Sequence, residues 1–183
     1  MALVLVAPQA AFYWMDPTGR VRAACVNLQH AARAAGMAVC GIRAGRSAAT
    51  PARLPGVPAV GTPGWALLPG LQPGQWDLLV DAPGLDGFFG TPLHGSLWPH
   101  GLRHLVFAGF GAESRVHSTL RSANDRGYEC LVLEDACAGV DPALHAAAMS
   151  TIAMSGGIFG AYTSSQVFVE ALARFYHKDE GKP

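Results

Sequence analysis

Residues 108–137, AGFGAESRVHSTLRSANDRGYECLVLEDAC, carry the clearest structural signal in this chain. An apolar run at 105–108 leads into the segment, helical spacing extends over 114–126, and a second apolar run follows at 130–133. A strand, a helix and a strand in that order are typical of a parallel sheet with helices packed on its faces. The segment therefore predicts an α/β protein.

The flanking sequence repeats this alternation. Strands are predicted at 2–6, 37–42, 77–81 and 158–160, and helices at 20–35, 92–100, 141–154 and 164–176. Residues 43–76 are dense in Pro and Gly, which favours loop and turn, and loops of that length often border a site. We expect a three-layer α/β/α sandwich around a mainly parallel sheet of about five or six strands.

The length and the charge limit the possible functions. With 183 residues, half of them hydrophobic, the chain suits one domain, which we place at 1–176, and the charged residues 177–183 should form a flexible tail. The formal net charge is zero and the Lys and Arg residues are spread out, so we expect binding to neither nucleic acid nor an anionic membrane.

Targeting and metal signals are weak. The apolar N-terminus has no basic region before it, and no apolar run approaches the roughly 20 residues that cross a bilayer, so a cytoplasmic protein is expected. The four cysteines have no metal-ligand spacing and are read as reduced core residues. His94, His100 and His104 are too loosely spaced for zinc. We expect neither a metal nor a cofactor.

Five segments in order resemble the isochorismatase-like cysteine hydrolases, a group that includes nicotinamidases, ureidoacrylate and biuret amidohydrolases and N-carbamoylsarcosine amidohydrolase. These segments are ALVLVAPQAAF at 2–12, GTPGWALLPGL at 61–71, DLLVDAPGLDGFFGTPL at 77–93, residues 108–137, and HAAAMSTIAMSGGIFGAYTSSQVFVEAL at 145–172. The resemblance implies the same sandwich fold and an ancestry in the hydrolysis of C–N bonds. The metal-binding D-x-H pattern of nicotinamidases is missing.

The resemblance also implies a triad, and this chain lacks all three of its residues. Working members use an aspartate as general base, a lysine that supports charge development and a cysteine nucleophile, and these positions are Ala7, Ala82 and Arg115 here. A misalignment by a few residues does not explain the loss, because no Asp precedes Asp16, no Lys precedes Lys178, and no cysteine lies near Arg115. A catalytically degenerate protein, or pseudoenzyme, is therefore predicted.

Arg115 replaces the nucleophile at a predicted helix N-terminus. The helix dipole disfavours a cation there, and burial adds a desolvation penalty unless the guanidinium is paired. One hypothesis makes Arg115 a structural plug that forms a salt bridge with Asp86 or Glu113. The other makes it the receptor for the carboxylate of a small molecule.

Other residues of the expected pocket have two interpretations each. His117 could replace the lost base, but a structural role is favoured. An aromatic wall around a planar ligand could be formed by Trp14, Trp65, Phe88 and Phe89, or these residues could fill the core or an interface. Ser114, Ser118 and Thr119 are poor nucleophile candidates, because no Ser-His-Asp arrangement is evident. The expected pocket residues are Gln9, Phe12, Trp14, Trp65, Asp86, Phe88, Glu113, Arg115 and His117.

The leading functional hypothesis is association. Members of the resembled family commonly form dimers or tetramers, so we expect a homo-oligomer, or a hetero-oligomer in which this chain modulates an active hydrolase homologue. One alternative is a small-molecule carboxylate binder that uses Arg115. A second alternative is an amide- or urea-type hydrolase with chemistry rebuilt around Asp86, Glu113, Arg115 and His117.

Overall fold

The strands form one six-stranded parallel sheet. The computed structural model describes residues 1–46, 56–71 and 77–179, and the strand order is β3-β2-β1-β4-β5-β6. All five pairings are parallel. The strands are β1 (Ala2–Val6), β2 (Ala38–Ala44), β3 (Leu78–Ala82), β4 (His104–Phe110), β5 (Glu129–Ala138) and β6 (Ala161–Thr163).

Helices cover both faces of this sheet, as the sequence predicts. They are α1 (Arg20–Ala34), α2 (Leu93–Leu97), α3 (His117–Asn124), α4 (Pro142–Gly157) and α5 (Ser165–Asp179). From β1 the chain steps to β2 on one side, and from β4 it steps to β5 on the other. Because parallel crossovers are right-handed, α1 and α3 must lie on opposite faces. The three-layer sandwich is confirmed.

The centre of the sheet is apolar on both faces. Every residue of β1 is at most 1% exposed, so its uninterrupted run ALVLV is the pattern expected for a strand covered on two sides. Strand order reverses between β1 and β4, and the connections from these two strands leave in opposite directions. This topological switch point opens a crevice at the carboxyl ends of the strands, where α/β proteins place their ligand sites.

Three local predictions need correction. The strand predicted at 158–160 is wrong, because β6 comprises Ala161–Thr163. Gly160 has a φ of +117°, and a Cβ there would lie 2.4 Å from the Cys130 carbonyl oxygen, so this residue forms a turn pressed against β5. The helix predicted over 114–126 is a π-helical turn, Ala112–Val116, followed by α3.

The third correction concerns the long loop and the tail. Within 43–76, β2 continues to Ala44 and a short 3-10 turn occupies Pro63–Trp65, while 47–55 and 72–76 lie outside the described residues. Helix α5 continues to Asp179, so it includes the first residues of the predicted tail, and 180–183 are outside the described part. Among the described residues, no helix combines the length and apolar character needed to cross a membrane.

Candidate functional site

The three positions that the resemblance assigns to the triad lie at the carboxyl edge of the sheet. Ala7 directly follows β1, Ala82 ends β3, and Arg115 lies in the π-helical turn that follows β4. Ala7 adopts a left-handed conformation with a φ of +50°, and its N–H donates to the Ile42 carbonyl at 2.7 Å. Ala7 and Ala82 are 1% and 2% exposed. Neither side chain carries a group that can transfer a proton or hold a charge.

Two glycines bring the Arg115 turn close to β1. Gly109 has a φ of +131°, and a Cβ there would lie 2.1 Å from the Val6 carbonyl oxygen, so no larger residue fits between β4 and β1. Gly111 has a φ of +82°, and its carbonyl accepts hydrogen bonds from the N–H groups of Ser114 and Val116. These bonds form the turn that places Arg115 at the switch point.

Arg115 is buried and stacks on an aromatic ring. The residue is 6% exposed, and its guanidinium carbon lies 4.1 Å from the centroid of the Phe12 ring. Its Nε is buried without a hydrogen-bond partner. Burial lowers the pKa of Arg115, and the nearby negative charge of Glu113 opposes this shift only in part. The site therefore contains a buried cation with at least one unsatisfied donor, its Nε.

The predicted salt bridge of Arg115 to Asp86 or Glu113 is wrong for the described residues. Asp86 accepts from the Phe88 N–H at 2.8 Å and from the Ser122 hydroxyl at 2.8 Å. The ion pairs of the described residues are Arg33–Asp77, Arg43–Asp81 and Arg174–Glu170, so Arg115 has no carboxylate within 4.0 Å. Asp86 instead caps its own loop and ties it to α3.

Glu113 is committed to the loop between β5 and α4. Its Oε1 accepts from the Val140 N–H at 3.1 Å. Its Oε2 is buried without a partner, and a Cβ at Gly139 would lie 2.8 Å from it, so the glycine permits this close approach. The carboxylate is near enough to influence the pKa of Arg115 but makes no hydrogen bond to it.

Gln9 has a structural role in this arrangement. The residue is fully buried, its amide donates to the Ala44 and Trp65 carbonyls at 3.0 Å each, and its Oε1 accepts from the Ala44 N–H at 2.7 Å. It therefore joins the end of β2 to the 3-10 turn within the long loop. These bonds explain a glutamine at this position without any contact with a substrate.

The aromatic residues have separate partners. Trp65 stacks beneath Arg43, whose guanidinium carbon lies 3.7 Å from the ring centroid. Phe88 is 4% exposed and packs against Tyr128, whereas Trp14 is 61% exposed. The Phe12 ring, which belongs to the expected pocket, is in contact with Arg115.

Helix α3 offers little for catalysis. Burial, and secondly the charge of Arg121, lowers the pKa of His117, which favours a neutral ring. The Thr119 hydroxyl donates to the Arg115 carbonyl at 2.7 Å and accepts from the Gly87 N–H at 3.0 Å. Sequence reasoning missed this positioning role of Thr119, although a Thr one turn after Arg115 was a usable signal.

The cysteines are in an unreactive form. All four are free and buried. Burial is the largest cause that raises the pKa of Cys40, Cys130 and Cys137 to about 12, and it raises that of Cys25 further. A thiol attacks as the thiolate, so these side chains are poor nucleophiles near neutral pH. Among the described residues, no group of His, Cys, Asp and Glu could hold a metal ion.

Curated relatives of this chain include ureidoacrylate amidohydrolases. That of Acinetobacter baylyi is 35% identical over 120 residues, which cover 64% of this chain and 46% of that protein. That of Methylorubrum extorquens is 41% identical over 96 residues, covering 51% and 38%. The chain thus aligns with less than half the length of these relatives.

Solved structures share the fold. A cysteine hydrolase from Pseudomonas syringae pv. phaseolicola has a TM-score of 0.83 at 21% identity, covering 94% of this chain and 92% of that one. An N-carbamoylsarcosine amidase from Thermoplasma acidophilum has a TM-score of 0.73 at 20% identity, covering 90% and 95%. The family model described as the isochorismatase domain matches residues 1–166. This chain belongs to the isochorismatase-like cysteine hydrolase family.

Proposed function

We propose that this chain is a non-catalytic member of its family that acts by association, with a second copy of itself or with an active hydrolase homologue. The observation that supports the loss of catalysis is Arg115, which occupies the expected position of the nucleophile and stacks on Phe12. Ala7 and Ala82 supply neither a base nor a cation. Nucleophile, base and cation act together in such a triad, so the absence of all three removes the thiolate chemistry.

Helix α4 supports the second half of the proposal. Between Asp141 and Glu170 the sequence contains no Asp, Glu, Lys or Arg, although 14% of the chain is charged. One face of α4 packs inward through Ala148, Met149 and Ile152, which are at most 6% exposed. A helix that is apolar on all sides is normally buried on all sides.

The outward face of α4 is also apolar. Leu144, Ala147, Thr151 and Met154 follow one another at spacings of three and four residues, which places them on one stripe of the helix. Leu144 and Met154 are 51% and 50% exposed, and Ile158, just beyond the helix, is 66% exposed. Exposed apolar stripes of this kind mark protein interfaces, because water covers them at a free-energy cost.

Light scattering of the purified protein tests the association. We expect a dimer or larger species at micromolar concentration, or a complex with an intact family member when the two are mixed. Leu144→Glu and Met154→Glu place charges on the stripe and should dissociate the assembly. Val60→Glu is the matched control, because Val60 is 51% exposed but lies on the loop after β2. A wild-type monomer without such a partner would contradict the proposal.

Activity measurements test the loss of catalysis. The purified protein should not hydrolyse ureidoacrylate, N-carbamoylsarcosine or nicotinamide, even at enzyme concentrations of about 10 µM. At that concentration, a turnover rate that is about 10⁴-fold lower than that of a working enzyme would still be measurable. Variants in which each cysteine is changed to Ser provide the control. Turnover that one of these changes abolishes would show that a thiol still acts as nucleophile, and the proposal would be wrong.

A further inference from the structure

Arg115 has unused hydrogen-bonding capacity. A guanidinium carries five N–H donors, and among the described residues the Arg115 Nε has no hydrogen-bond partner and the guanidinium has no carboxylate within 4.0 Å. The residue is 6% exposed, and solvent does not reach its Nε. A buried charge without a partner is strongly unfavourable, and native proteins normally pair it.

The protein's nearby carboxylates do not supply the partner. Asp86 is bonded to Ser122 and to the Phe88 N–H, and Glu113 is bonded to the Val140 N–H. Moving Asp86 to Arg115 would break the contacts that hold the 86–88 turn. The Glu113 carboxylate offsets the charge of Arg115 only in part, because it makes no ion pair with the guanidinium within 4.0 Å. An anion from outside the described residues would supply the remaining negative charge.

The backbone around Arg115 also favours an anion. Arg115 lies in the π-helical turn that leads into α3, so the positive end of the helix dipole is on its side. Phe12 covers one face of the guanidinium. A ring stacked on the face leaves the N–H edge free, and this edge matches the two oxygens of a carboxylate.

The charge balance favours a monoanion over a dianion. Arg121 is engaged with the Phe159 ring at 3.4 Å and Arg43 with Asp81, so both guanidinium groups already have other partners. The lowered pKa of His117 keeps that ring neutral at pH 7. Arg115, whose charge Glu113 offsets only in part, is thus the cation that we assign to the ligand.

We infer that Arg115 and Phe12 form a binding site for a small monocarboxylate at the switch point between β1 and β4. The carboxylate pairs with the guanidinium edge while Phe12 supports the face. This site arises from the replacement of the nucleophile by Arg115, and it does not depend on whether the chain associates through α4.

Thermal unfolding with acetate as the probe tests this inference. The protein is titrated with sodium acetate at constant ionic strength, balanced with chloride, at pH 7.5. We expect a saturable rise in Tm of about 2–6 °C when acetate exceeds its Kd by about tenfold. Acetamide, which has the same shape without the charge, should leave Tm unchanged. Inorganic phosphate at equal ionic strength should produce a smaller rise than acetate.

Three variants separate the site from general salt effects. Arg115→Met and Arg115→Gln should abolish the acetate-dependent rise, and two variants are used so that poor folding of one leaves the other. Arg121→Met removes a stacked arginine elsewhere on α3 and should keep the rise. A rise that does not saturate, or that persists in both Arg115 variants, would overturn the inference. A larger rise with phosphate than with acetate would also overturn it, because the site would then accept a dianion.

Discussion

Arg115→Met in a buffer without carboxylates should make the protein more stable, which is unusual for the replacement of a buried residue. The change retains a long flexible side chain that can still pack on Phe12, and it removes a cation that has no carboxylate within 4.0 Å. The sign of the effect follows from this missing partner. Had Arg115 been paired, the same change would leave a carboxylate buried alone and would cost about 3–5 kcal/mol.

The magnitude follows from four contributions. Loss of the stacking of the cation on Phe12 costs about 0.5–2 kcal/mol, and contact between the Met sulfur and the ring returns about 0.3–1.5 kcal/mol. Removing the positive charge from the positive end of the helix dipole stabilises the protein by about 0.3–1 kcal/mol. Replacement of buried charge by apolar atoms contributes up to about 4 kcal/mol. The net gain should be about 1–3 kcal/mol, or about 2–12 °C in Tm for a chain of this size.

Urea unfolding monitored by circular dichroism at pH 7.5 in chloride provides the assay. The midpoint of Arg115→Met should rise with no change in the denaturant slope, which would show that stability and not compactness has changed. Arg121→Met is the control, because Arg121 is a half-buried arginine that makes a similar stacking contact with Phe159. That control should lose about 0.5–1 kcal/mol. A loss of about 3 kcal/mol or more in Arg115→Met, the low end expected for a broken buried pair, would refute the reasoning.

Two further predictions concern titratable groups. The four buried cysteines should not react with an aromatic disulfide reagent in the folded protein at pH 8, and all four should react in urea; fast labelling of one folded thiol would show that it is exposed as thiolate. Burial, and secondly the charge of Arg121, lowers the pKa of His117 below its ordinary value of 6.5. At pH values between this lowered pKa and 6.5, the unfolded chain therefore binds more protons than the folded protein. Stability should therefore fall as the pH drops through 6.5. The variant His117→Gln should show a weaker dependence of stability on pH. An unchanged pH profile in this variant would exclude His117 as the cause of the dependence.

Much of the fold could be predicted from local patterns. The run ALVLV has no polar residue for a solvent-facing side, so it had to be a strand covered on both faces. Helical spacing likewise predicted α1 to within one residue of its observed end. The strand at 158–160 was misplaced because its apolar letters fit a strand, whereas the close approach of Gly160 to Cys130 depends on a neighbour 30 residues away.

The candidate site, too, could be predicted from the sequence only in part. Ala7, Ala82 and Arg115 could be assigned to the triad positions from the ordered motifs, since a residue type is visible in the letters. Whether Arg115 is paired was not visible. Glu113 is close to Arg115 along the chain and the resemblance places Asp86 on the pocket loop, so either could have served. Only the tertiary structure shows that Ser122 and Val140 engage them instead. A salt bridge depends on distances of a few ångströms, and those distances are set when separate segments pack together.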